Sequence, residues 1–281
     1  MPVAMTAQPP AKSRHRPRLT LGLWALTMAL CAAGFALLFV TRDVPVSDVY
    51  GSRGAAGILT IPFATMGALL TARRPGNPIG WLFAAAGLCT GFVVFAEDYA
   101  TYSFARHGSS LPLTNPIAWL QNWMWVPLVA VGLFYPFLLF PEGRLPSRRW
   151  RWLAWVAPPV MLAFGIAIAL NPGPLQSVAD GFANPYAVGV ETTEAAVTIL
   201  GPPYIALVAL AVLAMARWFR RSTGDEHEQM KWLLFAGTLT TLSLALNIIA
   251  GLAHLASRTR PSPSSRRSAS EGSPSPPGWR S

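Results

Sequence analysis

The sequence predicts an all-α protein: a polytopic transmembrane helical bundle of about seven spans, followed by a disordered C-terminal tail. Three observations carry this. Hydrophobic residues make up 52% of the 281 and charged residues only 12%, with a mean hydropathy of +0.39. A soluble domain carries about 25% charged residues, so this chain has too little polar surface to keep a compact body in water. The apolar residues fall in long continuous runs, near or above the roughly 20 residues that cross about 30 Å of hydrocarbon. The charges lie between the runs and are sorted by sign from one gap to the next.

The runs lie near residues 20–40, 55–72, 79–96, 117–140, 152–170, 197–216 and 232–256. The second and third, at about 18 residues, sit near the lower limit for a span. No Lys, Arg, Asp or Glu interrupts the centre of any run. None alternates with period two, which selects helices over barrel strands. Residues 1–19 then form a basic tail, 20–256 the transmembrane domain, and 257–281 a Ser/Pro/Arg-rich tail that cannot bury a core. The first run follows Lys12, Arg14, Arg16 and Arg18, as a signal peptide's would. It is longer than the 7–15 residues of a signal core, so a retained span is expected. Pro62, Pro136, Pro158, Pro159, Pro202 and Pro203 fall inside runs. Each removes a backbone donor and bends its helix, which neighbouring helices in a bundle can accommodate.

Arginine supplies 20 of the 22 basic residues, and its placement sets the expected orientation. With the N-terminus cytoplasmic, segments 1–19, 73–78, 141–151 and 217–231 face inward and carry 4, 2, 4 and 4 Lys plus Arg. The outward segments 41–54, 97–116 and 171–196 carry 2, 1 and 0. That asymmetry is the positive-inside pattern of a multi-pass plasma-membrane protein. Asp43, Asp48, Glu97, Asp98, Asp180, Glu191 and Glu194 all fall on the outward side. Trp81, Trp150, Trp152, Trp218 and Trp232 stand at span boundaries, where amphipathic rings prefer the headgroup layer. The net charge of +10 is therefore scattered over short turns, and no nucleic-acid partner is expected. Seven spans would leave the arginine-rich tail outside, against the charge rule, so the seventh run either re-enters or lacks its normal continuation.

Few residues suggest a site. Glu97 and Asp98 fall where the third run ends, followed by Tyr99 and Tyr102 on about one helical face. Two carboxylates beside an aromatic shelf suit a cationic ligand, and they equally suit a helix end exposing acids to water. Gly87 and Gly91 have the GxxxG spacing that lets a second helix approach, and packing within the bundle is the expected use. Cys31 and Cys89 lie in apolar runs and read as small hydrophobes. His227 stands among acids just before the last run and lacks the surroundings of a phosphoacceptor. The histidines have no metal-ligand spacing. Glycine-rich phosphate loops, nucleophile elbows and zincin motifs are missing, so no catalytic residue, cofactor or metal is expected. Ion-coupled carriers place ionisable groups at mid-membrane. Here only Gln121, Asn122 and Asn247 are polar within runs.

Three inward segments nevertheless form a pattern: "RRPGNPIGWLF" (73–83), "LFPEGRLPSRRWR" (139–151) and "GDEHEQMKWLL" (224–234). In this order and spacing they resemble the multi-span N-terminal membrane region of actinobacterial sensor histidine kinases, over residues 20–250 or so. Arg74, Pro75, Asn77, Pro78, Ile79, Gly80 and Trp81 match the first motif. Phe140, Pro141, Gly143, Leu145, Pro146, Ser147, Arg149, Trp150 and Arg151 match the second, and Gly224, Glu226, Gln229, Lys231 and Trp232 the third. In that family a further span leads to a dimerisation helix with its phosphoacceptor histidine and to an ATP-binding domain. This sequence holds neither, so the resemblance implies a truncated or frame-shifted relative.

The resulting expectation is a sensory and anchoring membrane region without kinase activity of its own, since nothing would position nucleotide and Mg²⁺. Glu97, Asp98, Tyr99 and Tyr102 are its candidate sensing residues. Its expected partners are membrane lipid and either a second copy or a histidine kinase chain. The alternative is a small-solute transporter or another polytopic membrane protein, with Gln121, Asn122 and Asn247 beginning a polar path.

Overall fold

The structure, a computed structural model, describes residues 15–44, 53–140, 143–145, 147–172, 175, 183–220, 238–239, 241–242 and 245–246. Its elements are α1 (His15–Val40), α2 (Ala56–Arg73), α3 (Pro78–His107), α4 (Thr114–Trp123), α5 (Trp125–Val129), a π-helical turn (Ala130–Phe134), α6 (Tyr135–Leu139), a 3-10 turn (Arg148–Trp150), α7 (Arg151–Ala169) and α8 (Val190–Phe219). No strand occurs among the described residues. Among the described residues, six helices are long and apolar enough to cross a membrane: Arg18–Val40, Ala56–Arg73, Pro78–His107, Thr114–Leu139, Arg148–Ala169 and Val190–Phe219. Most of the seventh run, Asn247 and the tail at 257–281 lie outside the described residues.

The molecule has two differently packed parts, and α3 belongs to both. On one side α3 packs against α1 and α2, and on the other against α4 to α6, which in turn meet α7 and α8. The α2–α3 seam is built from small residues. Gly57, Thr60, Ala64, Gly67 and Thr71 of α2 are buried, spaced alternately three and four apart. Gly80, Ala84, Gly87, Gly91, Val94 and Asp98 of α3 repeat that spacing. Small side chains let backbones touch, and contact dispersion replaces the hydrophobic drive that lipid does not supply. A Cβ on Gly67 would lie 2.4 Å from the Ala84 nitrogen, and one on Gly87 2.7 Å from the Ala64 nitrogen. Gly91 lies against Thr27 of α1 and Thr60 of α2, and Gly34 of α1 against Val94. The GxxxG pair thus serves packing within the bundle. The threonines on these faces return their hydroxyls to their own helix, as Thr60 does to the Ala56 carbonyl at 3.1 Å.

The other part has a bulky core. Phe134, Phe137, Leu138, Leu153, Phe164, Tyr204, Leu207 and Met215 are buried together. Trp125 meets Phe164 and Tyr204 edge-on, with centroids 5.8 Å apart in each case. The fourth crossing is not one regular helix. Pro136 has no N–H for the carbonyl one turn back, and just before it the ladder widens so that the Tyr135 N–H reaches the Ala130 carbonyl. That is a π-turn, a common way to absorb a missing donor. Outside both parts the surface is apolar: Ile58, Trp155 and Ile199 are 74%, 76% and 69% exposed. On a water-soluble protein such exposure is a liability, whereas lipid is its natural solvent.

Two helices exceed their predicted runs. Expected at 79–96, the third spans 30 residues and ends at His107; the sixth, expected at 197–216, also spans 30 residues from Val190. At 1.5 Å per residue, each rod is about 45 Å long, more than the hydrocarbon thickness. The α3 helix continues past its acids because its polar side chains find partners inside the bundle. It stops at Gly108, which adopts the left-handed conformation (φ 54°) that favours glycine.

Candidate functional site

Two clusters stand out, one at each end of the bundle. The first lies at the acid-rich end and joins three helices. Thr41 closes α1, its N–H and its hydroxyl both bonded to the Leu37 carbonyl at 2.9 Å. Arg53, three residues before α2, reaches back to it. Its Nη1 donates to the Thr41 carbonyl at 3.0 Å and its Nη2 to Thr41 Oγ1 at 2.7 Å. The same Nη2 donates to Asp98 Oδ1 of α3 at 2.6 Å. The Asp98 side chain is fully buried and that of Arg53 is 13% exposed. Asp98 Oδ2 and Arg53 Nε are buried without a hydrogen-bond partner, so the fork-to-fork pairing open to these two groups is half made.

The predicted sensing residues therefore do not sit at an exposed helix end. Glu97 is buried beside Asp98, its carbonyl accepting the Thr101 hydroxyl at 2.9 Å. The tyrosines are committed elsewhere. Tyr99 donates to the Pro112 carbonyl at 2.6 Å and stacks on Phe95, whereas Tyr102 packs on the His107 ring at 5.0 Å. A second clasp is solvent-facing: Arg106 Nη2 donates to both oxygens of Asp43 at 2.8 Å. The backbone amide of Asp43 and then the Arg106 side chain hold that carboxyl below its usual range.

Across from α3, Ser103 meets Thr114 at 2.5 Å and Ala100 packs with Ala118. In an antiparallel pair this register puts Gln121 level with Ala96 and Glu97. Gln121 is 8% exposed, and its Oε1 has no hydrogen-bond partner. Trp119 Nε1 donates to the Ala169 carbonyl at 2.7 Å. Asn184 Nδ2 donates to the same carbonyl and to that of Asn171, each at 2.9 Å, capping α7 from a distant loop. Among the described residues no group of three His, Cys, Asp or Glu could hold a metal ion.

The second cluster lies at the arginine-rich end and explains two of the three motifs physically. Asn77 caps α3 by accepting the Ile79 N–H at 3.0 Å, and Pro78 takes the first helical position, where a missing donor costs nothing. Gly80 lets α3 pass α2: a Cβ there would lie 2.8 Å from the Thr71 nitrogen. Gly143 of the second motif seats on this cap. Its φ is +76°, and a Cβ would lie 2.6 Å from both Asn77 Oδ1 and Pro78 Cδ. Phe140, Leu145 and Trp150 each pack against the bulky core, and Arg217 of α8 stands 5.8 Å from the Trp150 ring centre. Arg74, Pro75, Arg149 and Arg151 are exposed, and Trp81 is half-buried. Pro141, Pro146, Glu226, Gln229, Lys231 and Trp232 lie outside the described residues.

Gly143→Ala should lower stability by more than the roughly 1–2 kcal/mol of a left-handed L-residue, because the new methyl also strikes Asn77 and Pro78. Thermal unfolding in detergent reads this against Gly76→Ala, where nothing lies within 4 Å. Equal midpoints for the two variants would refute the seating of one motif on the other.

Arg53, Thr41 and Asn184 were not singled out in the sequence. Arg53 did leave a signal, as one of three arginines on the acid-rich side, where the charge rule gives it no reason to be. Six lipid-length apolar helices and charges held to the two ends define the class, a multi-pass helical membrane bundle. Comparison with family models, with curated proteins and with solved structures finds no match.

Proposed function

We propose that this chain is the sensory and anchoring membrane unit of a two-component system, similar to the N-terminal region of sensor histidine kinases, and performs no phosphoryl transfer itself. In this reading the arginine-rich end faces the cytoplasm of the cell that carries the protein in its plasma membrane. The observation that supports it is the seating of Gly143 on Asn77 and Pro78. It ties together two of the three motifs behind the resemblance, at the N-terminus of the helix whose far half holds Asp98. One rod thus joins the buried ion pair to the motif cluster. A stimulus that favours one state of the pair would shift the population of states at the other end. The partner is a histidine kinase chain or a second copy.

The test fuses residues 1–256 to a dimerisation and catalytic core and follows autophosphorylation in inverted membrane vesicles. Arg53→Gln and Asp98→Asn, each corrected for the amount of protein, should shift the rate more than twofold. A rate indifferent to both variants overturns the coupling. A second reading, a small-solute transporter, rests on the buried, unpartnered Oε1 of Gln121. Flux into proteoliposomes that Gln121→Leu abolishes would favour it.

A further inference from the structure

The arginine-rich end carries a feature that the sensory reading does not use. Between α1 and α2 the surface opens into a groove of about 500 Å³, lined by Thr20, Leu21 and Trp24 on one side and Ala68, Leu69 and Ala72 on the other. It exists because α2 presents two alanines where α1 presents larger groups, and Trp24 Nε1 spans its far end to Thr65 Oγ1 at 3.4 Å. Leu21 is 64% exposed and Leu69 39%, so the groove is open to the bilayer. Its lining is almost wholly apolar, as an acyl chain requires.

The mouth of the groove is cationic. The Trp24–Thr65 contact sets the antiparallel register of the two helices. It brings Arg18, at the start of α1, level with the end of α2, where Arg73 occupies the last turn. Both are exposed. The acids of the described residues, Asp43, Glu97, Asp98, Glu191 and Glu194, all belong to the opposite end of the bundle. Among the described residues an ammonium headgroup meets no carboxylate at this mouth, whereas a phosphate meets two guanidinium forks suited to it. Basic pockets between transmembrane helices on one leaflet are a known basis for selecting anionic headgroups.

We propose that this groove binds one anionic phospholipid, an acyl chain lying between α1 and α2 and the phosphate held by Arg18 and Arg73. The site is independent of any signalling role. A lipid so placed fills the space that Ala68 and Ala72 leave and staples the first two helices together.

The full chain, purified and delipidated in a mild detergent, is titrated with dioleoylphosphatidylglycerol or dioleoylphosphatidylcholine and read by native mass spectrometry. One phosphatidylglycerol per chain should be retained, at least tenfold in preference to phosphatidylcholine. The double variant Arg18→Gln/Arg73→Gln should bring that preference within twofold. Ala68→Trp, which fills the groove, should abolish retention of either lipid; should it not be recovered folded, Ala72→Leu takes its place. Equal retention of the two lipids by the unaltered chain overturns the proposal, as does a preference that survives the double variant. Lipid binding indifferent to the filled groove also overturns it. A dimer that Ala68→Trp breaks and the arginine variants leave intact assigns the groove to a second copy instead.

Discussion

Replacing Asp98 with alanine should destabilise the bundle by about 3–5 kcal/mol, the range measured when one partner of a buried ion pair is removed. The Asp98 side chain is fully buried and that of Arg53 is 13% exposed. Without the carboxylate the guanidinium keeps its two bonds to Thr41 but loses the anion 2.6 Å away, in surroundings of low dielectric. The slight exposure of Arg53 places the expected loss toward the lower part of the range. Asp98→Asn keeps an acceptor and should cost less. The double variant Arg53→Met/Asp98→Leu should recover most of the loss, because well-packed apolar residues commonly replace a buried pair without net cost. Equilibrium unfolding in mixed micelles, run as a double-mutant cycle, separates these terms. A loss below about 1 kcal/mol for Asp98→Ala would mean that solvent reaches the pair, as in exposed pairs generally.

Gly67→Leu should have a comparable effect through sterics alone. Its Cβ would lie 2.4 Å from the Ala84 nitrogen, 2.7 Å from its Cα and 2.9 Å from the Phe83 carbonyl carbon. All three are backbone atoms of α3, so no rotamer change relieves the overlap and the helices must move apart. The same separation strips contact from Gly80 against Thr71 and Gly87 against Ala64, which lie on the same seam. Overpacking a well-filled site costs about 1–3 kcal/mol. Gly67→Ala should fall within that range and Gly67→Leu beyond it. Gly22→Ala is the control. It lies inside α1 with nothing within 4 Å, so it should be neutral or gain up to about 1 kcal/mol of helix propensity. If unfolding midpoints rank Gly67→Ala with Gly22→Ala, the α2–α3 seam is wrong.

The two predictions mark different depths of legibility in the chain. The spacing of Gly57, Thr60, Ala64, Gly67 and Thr71 is plain in the residue order, as is its repeat from Gly80 to Asp98. As single spans they are apolar runs with one GxxxG pair. Only the hairpin between Arg73 and Pro78 brings the two rows face to face. The motif residues behave likewise. Asn77 and Pro78 are readable as a cap from the order alone, whereas Gly143 resting on them depends on how the fourth crossing returns. Polarity alone marks the acids at 97 and 98 as the end of a helix. Polarity ends a helix only where the side chain must reach water, and Asp98 reaches Arg53, 45 positions earlier, instead.

What the residue order settled without help is a bundle of apolar helices with arginine gathered at one end. Transfer from water to lipid is a local quantity, summed over about twenty neighbouring residues with no reference to any partner. The tertiary structure decided the length of α3 and α8, the partner of each glycine and the fate of the acid pair. Those are set by distances between atoms far apart in the chain, where one carboxylate is stable in a low-dielectric interior because a guanidinium stands 2.6 Å away.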